Sequence, residues 1–115
     1  MKILNLTKNS VITKEARIAD TMIGRMTGLL NKKFLRPDEA LVITRCQSIH
    51  MFFMRFAIDV IFVDKNDRAV GLVKNIRPFR LSPIFFKASY AIELPVGGIE
   101  NSHTEIGDQL EIREN

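Results

Sequence analysis

The hydrophobic positions of this chain fall into short runs separated by clusters of glycine, proline, asparagine and charged residues. Runs that are this short and rich in β-branched residues are typical of β-strands. The pattern predicts seven strands, at residues 2–7, 11–19, 40–44, 56–63, 69–76, 88–94 and 109–113. The polar residues 64–67 predict a hairpin connection between two of these strands.

One segment instead repeats its apolar residues at the three- and four-residue spacing of an amphipathic helix. It covers residues 22–30, with Asp20 or Thr21 in position to cap its N-terminus. Residues 99–105 fit one further helical turn, whereas Pro78 and Pro83 predict a loop over residues 77–87. Seven short strands with one short helix favour a mainly β fold, namely a small antiparallel β-sandwich or a partly closed barrel.

Length and composition predict a single domain over residues 1–115, with one hydrophobic core. The net charge of +4 is compatible with an anionic partner but does not require one. Cys46 is the only cysteine, so the chain has no internal disulfide and an oxidising compartment is not indicated. No apolar run approaches the roughly 20 residues that span a bilayer, and no secretory signal is visible. We therefore expect a cytoplasmic protein without a membrane partner.

Four short motifs occur in an order that resembles a known family. They are Arg25-x-x-Gly28-Leu29-Leu30, Met54-Arg55-x-x-Ile58-Asp59-x-x-Phe62, Glu93-Leu94-Pro95-x-Gly97 and Gly107-Asp108. The resemblance covers about residues 16–112 and is to DUF 192, a widespread prokaryotic domain of unknown function. It implies a small β-rich, sandwich-like domain and implies no reaction. Many members look aromatic-rich before the Met-basic pair, often with a tryptophan and then an asparagine, whereas this chain has Phe53-Met54-Arg55-Phe56 there.

Asp59 lies inside the most apolar predicted strand, residues 56–63. A buried carboxylate is costly unless a cation or hydrogen-bond donors compensate it. The candidate compensators are backbone N–H groups and three basic side chains, Arg17, Arg25 and Arg55. Strand alternation places Asp59 on the face of Ile61 and Val63. Two interpretations stay open: a structural carboxylate that holds residues 51–56, or a cavity carboxylate that binds a ligand or acts as a general base.

Glu93 repeats this arrangement in the predicted strand 88–94. Two carboxylates that face each other across one cavity suit a hydrolase, with one as acid and the other as base. The alternative is an exposed glutamate on an edge strand beside Pro95. The candidate pocket that combines these groups consists of Arg25, His50, Met54, Arg55, Asp59 and Glu93.

Cys46, His50 and Met54 are spaced four residues apart, and Met51 follows His50. On a helix these residues form one stripe, and thiolate, imidazole and thioether ligands together suit a soft metal such as Cu(I). The favoured alternative is that they are core residues, as cysteine and methionine usually are, because phenylalanines accompany them. We therefore predict neither a metal site nor a cofactor.

Residues 68–92 contain five basic residues and no acidic one, with aromatic residues interleaved among them. This composition suits single-stranded nucleic acid or another anionic partner. The candidate anion-binding residues are Arg77, Arg80 and Lys87. The alternative is a solvated loop whose phenylalanines fill the core.

The leading functional hypothesis is a small ligand- or partner-binding β domain that catalyses no reaction. The chain has no glycine-rich phosphate loop, nucleophile elbow or zinc-protease signature. A small molecule or a protein is the expected partner. The alternatives are a hydrolase that uses Asp59 and Glu93, and an adaptor that binds nucleic acid or another anionic partner through residues 68–87. Of the anionic partners, nucleic acid is disfavoured.

Overall fold

Residues 1–19, 35–52 and 54–115, which are the part of the chain that the computed structural model describes, form two β-sheets and one short helix. The strands are β1 (Lys2–Asn5), β2 (Ser10–Thr13), β3 (Glu15–Ala19), β4 (Glu39–Thr44), β5 (Ile58–Val63), β6 (Ala69–Ile76), β7 (Tyr90–Pro95) and β8 (Leu110–Arg113). The helix α1 (Gly98–Asn101) is a single turn. A three-stranded sheet has the order β2-β1-β8, and a five-stranded sheet has the order β3-β4-β7-β5-β6.

The predicted mainly β class and sandwich-like architecture are confirmed, and neither sheet of the described residues closes into a barrel. The single strand predicted for residues 11–19 is wrong, because β2 and β3 belong to different sheets. The Thr13 hydroxyl accepts a hydrogen bond of 3.3 Å from the Glu15 N–H, and such a local bond competes with a continuous strand. The predicted helix at residues 22–30 lies outside the described residues.

One strand pair departs from the antiparallel arrangement that the sequence predicted. β3 and β4 are parallel, whereas the other paired strands are antiparallel. Parallel neighbours need a crossover connection of about a dozen residues or more, and 19 residues separate Ala19 from Glu39. The described residues contain no helix with the length and apolar character that crossing a bilayer requires.

The five-stranded sheet is buried on both faces, and each face has its own hydrophobic cluster. The cluster between the two sheets combines Ile3 and Ile12 of the small sheet with Ile61 and Ile92 of the large one. The opposite, outer face of the large sheet contributes Ile43, Ile58, Val60 and Phe62 to a second cluster. Burial on both faces explains why every residue of β5 is buried.

Two irregular segments cover that outer face and form a third layer. These segments are residues 45–57 and 77–89, which we call the loop layer; Phe53 lies outside the described residues. Four backbone hydrogen bonds of 2.8–3.0 Å join the two segments, from Phe79 to Met51, Met51 to Arg80, Ser82 to Ile49 and Phe85 to Gln47. The buried side chains that the layer supplies to the outer cluster are Cys46, Ile49, Met51, Met54 and Ala88.

Candidate functional site

Asp59 is 1% exposed in β5, and backbone groups satisfy its carboxylate. Oδ1 accepts a hydrogen bond from the Asn75 N–H at 2.8 Å. Oδ2 accepts hydrogen bonds from the N–H groups of Gly97 and Ile99, each at 3.1 Å. Of the predicted compensators, backbone N–H groups are therefore the ones that act, and Asp59 forms no ion pair within the described part of the chain.

The segment that Asp59 holds is the start of α1 rather than residues 51–56, as one interpretation of the sequence had it. Gly97 has a φ of 98°, in the left-handed region that glycine adopts at little cost. This conformation directs the N–H groups of the turn toward β5. Two motifs of the sequence resemblance, one with Asp59 and one with Gly97, thus meet in a structural hydrogen-bond cluster.

Asp59 and Glu93 lie on opposite faces of the five-stranded sheet. In the β5–β7 register, Asp59 is opposite Leu94 and Glu93 is opposite Val60. Directly opposed residues share a face; Leu94 belongs to the cluster between the sheets, and Val60 to the outer cluster. The prediction that the two carboxylates face each other across a cavity is wrong. So is the edge-strand alternative, because β7 is the middle strand of five and Glu93 is fully buried.

The other described members of the candidate pocket lie in the loop layer. Met54 is buried in the loop layer, Arg55 is exposed there, and Arg25 lies outside the described residues. His50 is half-buried and stacks on Phe52, with ring centroids 5.2 Å apart. Its Nδ1 atom is buried without a hydrogen-bond partner in the described residues. The loop layer covers the outer face of the sheet, which is also the face of Glu93, whereas Asp59 faces the space between the sheets. His50, Met54 and Arg55 therefore lie on the opposite side of the sheet from Asp59.

The stripe of soft ligands that helical spacing predicted does not form. Residues 45–57 are held beside residues 77–89 instead of coiling into a helix. Cys46 is buried and donates its thiol hydrogen to the Ser48 carbonyl at 3.1 Å. Among the described residues, no three His, Cys, Asp or Glu side chains are grouped so that they could hold a metal ion.

The Gly107-Asp108 motif forms a turn, as the sequence predicted. Gly107 has a φ of 93°, and Asp108 accepts hydrogen bonds from Asn5, Lys8 and the Glu105 N–H at 2.8–2.9 Å. Burial raises the pKa of Asp108, but the hydrogen bonds from Asn5, Lys8 and the Glu105 backbone outweigh burial, so this pKa lies below its ordinary value. The motif is therefore part of the scaffold.

The loop layer presents an apolar outer surface that sequence reasoning missed. Its side chains alternate, since Ile49 and Met51 are buried, whereas His50 between them is half-buried and Phe52 after them is exposed. His50 is bridged to Leu81 across the layer, which joins the outward side chains of the two segments. Five large apolar side chains with exposures from 41% to 77% lie on this surface, Phe52, Phe79, Leu81, Ile84 and Phe86.

The sequence offered no signal that separated exposed from buried phenylalanines in this loop. Of the three at positions 79, 85 and 86, only Phe85 packs inward, where it stacks on Phe62 with ring centroids 4.6 Å apart. A shallow cleft of about 340 Å³ lies beside Phe85 and is lined by Val70, Ile84, Phe85, Phe86 and Lys87.

A strained turn holds Phe79 in solvent. Residues 77–80 form a β-turn that is closed by a 3.2 Å hydrogen bond from the Arg80 N–H to the Arg77 carbonyl. Pro78 occupies the second position, and Phe79 in the third position has a φ of 67°. A positive φ at this position usually requires glycine or asparagine, and it costs other residues about 1–2 kcal/mol. The ring is nevertheless 64% exposed, so little burial offsets the strain.

Basic residues are concentrated on the same surface. Residues 45–58 and 68–92 contain seven basic and no acidic residues, whereas the rest of the chain contains ten basic and thirteen acidic residues. Five of the seven lie in the loop layer, and all five are exposed: Arg45, Arg55, Arg77, Arg80 and Lys87. None of these five forms an ion pair within the described residues.

Comparison with known proteins identifies the family. UPF0127 proteins of Thermococcus sibiricus and Pyrococcus horikoshii are 41% and 43% identical to this chain, and the matches cover 95% and 94% of it and 73% and 96% of the relatives. The fold is similar to the crystal structure of a protein of unknown function from Novosphingobium aromaticivorans, with a TM-score of 0.83 and 19% identity over 97% of this chain and 84% of that one. The family model described as Uncharacterized ACR, COG1430, matches residues 4–112. The resemblance noted in the sequence is thereby confirmed: this chain belongs to the DUF192 family, and the relatives compared here have no demonstrated reaction.

Proposed function

We propose that this protein acts by binding rather than by catalysis, and that it docks an anionic partner onto the outer surface of its loop layer. One observation carries this proposal. Five exposed apolar side chains share a layer that has no acidic residue with five basic side chains that form no ion pair with any residue the structure describes. Contiguous exposed apolar surface marks interaction sites on soluble proteins, and the charge selects an anionic partner.

The two kinds of side chain contribute to binding in different ways. The basic groups attract an anionic partner over a Debye length of about 8 Å at physiological salt, which raises the association rate. The apolar groups contribute when they are removed from water, at about 25 cal/mol per Å². A ring as exposed as that of Phe86, at 77%, retains most of this free energy for a partner.

The buried carboxylates support the same proposal. Asp59 and Glu93 are 1% and 0% exposed, and they lie on opposite sides of the sheet. A general acid or base must reach the proton that it transfers, directly or through one water. The oxygens of Asp59 already accept three backbone hydrogen bonds and face the sheet interior, which favours a structural role.

The test is retention on a sulfated-polysaccharide matrix at about 0.15 M salt. We expect the wild-type protein to be retained and the triple variant Arg77→Ala, Arg80→Ala, Lys87→Ala to elute at lower salt. The matched control is the triple variant Lys2→Ala, Lys14→Ala, Lys65→Ala, which removes the same charge from exposed residues outside the loop layer.

The control triple is expected to elute with the wild type. The proposal is wrong if the wild-type protein passes through the matrix without retention. It is also wrong if the two triple variants elute at the same reduced salt concentration, because net charge rather than the loop layer then determines retention.

A further inference from the structure

We infer that the anionic partner is the surface of a lipid bilayer that contains acidic phospholipid, an inference that rests on the function proposed above. The loop layer would lie in the headgroup region, with its apolar side chains at the acyl boundary and its basic side chains at the phosphates. The expectation of no membrane partner considered only spanning segments. The proposed contact instead uses the loop layer, at the surface of the bilayer.

The chemistry of the exposed apolar residues favours lipid over nucleic acid. Single-stranded nucleic acid is bound by aromatic side chains on which bases stack. Two of the five exposed apolar residues are the aliphatic Leu81 and Ile84, at 66% and 57% exposure, and they have no ring for a base to stack on. A bilayer accommodates aliphatic and aromatic side chains equally well.

The shape of the turn at residues 77–80 favours a bilayer over a protein partner. Phe79 stands near the apex of this β-turn, and Arg77 and Arg80 close it by their backbone hydrogen bond. A protein partner needs a pocket of matching shape for a protruding ring, whereas the acyl boundary has no fixed shape. Long basic side chains on either side of a ring that has entered the lipid extend to the lipid phosphates, while their aliphatic stems stay in the apolar region.

The charge distribution would orient the protein on such a surface. The segments that carry the loop layer and its flanks have seven basic and no acidic residues, while the remainder has ten basic and thirteen acidic residues. An anionic membrane attracts the first set and repels the second. The loop layer and the three-stranded sheet lie on opposite sides of the five-stranded sheet, so the small sheet would face away from the lipid.

The first measurement is co-sedimentation with vesicles at about 0.15 M salt. One set contains phosphatidylcholine alone, and the other contains phosphatidylcholine with about one-third phosphatidylserine. We expect binding to the anionic set only. Since each basic residue near an anionic surface strengthens the attraction, the triple variant of Arg77, Arg80 and Lys87 should bind about 100-fold more weakly, and the control triple should bind within about twofold of wild type.

The second measurement tests insertion, and the chain suits it because it contains no tryptophan. The variant Phe79→Trp places a single tryptophan at the turn. Val11→Trp is the matched control, because Val11 is 48% exposed on the small sheet. We expect the emission of the Phe79→Trp variant to shift to the blue with anionic vesicles and to be quenched by brominated acyl chains, while the control emission stays unchanged.

The outcomes separate this inference from the function on which it rests. Retention on the polysaccharide matrix without vesicle binding would overturn the bilayer and leave the binding function intact, with nucleic acid or an acidic protein as partner. Vesicle binding with unquenched emission from the Phe79→Trp variant would also overturn it, because the ring then does not enter the lipid. Absence of both retention and vesicle binding would refute both proposals.

Discussion

Replacing Asp59 with asparagine changes one oxygen to an NH₂ group and leaves the volume of the side chain almost unchanged. In the native protein Oδ1 accepts one backbone hydrogen bond and Oδ2 accepts two. The best placement of the asparagine keeps its oxygen toward the N–H groups of Gly97 and Ile99. Its NH₂ group then faces the N–H of Asn75, so two donors oppose each other at a site that is 1% exposed.

The magnitude follows from these contacts. Loss of one hydrogen bond to a charged acceptor costs about 1.5–3 kcal/mol. The two remaining bonds lose their charge assistance, which is roughly half of their strength. The substitution also removes a buried charge, whose desolvation is unfavourable, and this gain offsets part of the loss. We therefore expect the free energy of unfolding to fall by about 3 kcal/mol, a large part of the roughly 5–15 kcal/mol that stabilises a domain.

The assay is urea denaturation followed by far-ultraviolet circular dichroism, with Glu100→Gln as the matched control. Glu100 is exposed, so the same carboxylate-to-amide change there should alter stability by less than about 0.5 kcal/mol. If Asp59→Asn unfolds at the urea concentration of the wild type, the structural role of Asp59 is refuted.

Three other substitutions test particular contacts of the fold. Phe79→Asn should change the free energy of unfolding by less than about 1 kcal/mol, because relief of the backbone strain at the positive φ offsets the loss of a partly buried ring. Thermal denaturation measures the change in stability, and a loss above about 2 kcal/mol would contradict the prediction. Gly71→Ala should destabilise the fold by about 1–3 kcal/mol, because a Cβ there would lie 2.5 Å from the ring of Phe85, which is itself stacked on Phe62. If the variant unfolds at the same urea concentration as the wild type, the ring of Phe85 moves freely and this prediction is wrong. The pKa of Asp108 is lowered in the fold, so the unfolded chain binds more protons than the folded one. The stabilisation from this group is therefore complete above its ordinary pKa of about 4 and is lost as the pH falls. Asp108→Asn should make the melting temperature depend less steeply on pH on the acid side, and an unchanged slope would contradict the assignment.

Local sequence determined much of the fold because strand and turn signals are short-range. β6 begins and ends at the residues predicted for the strand that follows the hairpin turn, and the prolines at 78 and 83 lie in the predicted loop. The alternation in β5 correctly placed Ile61 and Val60 on opposite faces of the sheet, because successive side chains of a strand point to opposite faces. The same reasoning identified Asp59 as the residue most in need of partners, although not which partners.

Only the tertiary structure decided what each face meets. The faces of Asp59 and Glu93 depend on the register of β5 against β7, and a shift of one residue would have reversed the answer. The outward position of Phe79 and Phe86, and the inward position of Phe85, depend on how residues 77–89 pair with residues 45–57. Periodicity describes a segment, whereas register and layer pairing join segments that are distant in sequence, and burial is set by those long-range contacts.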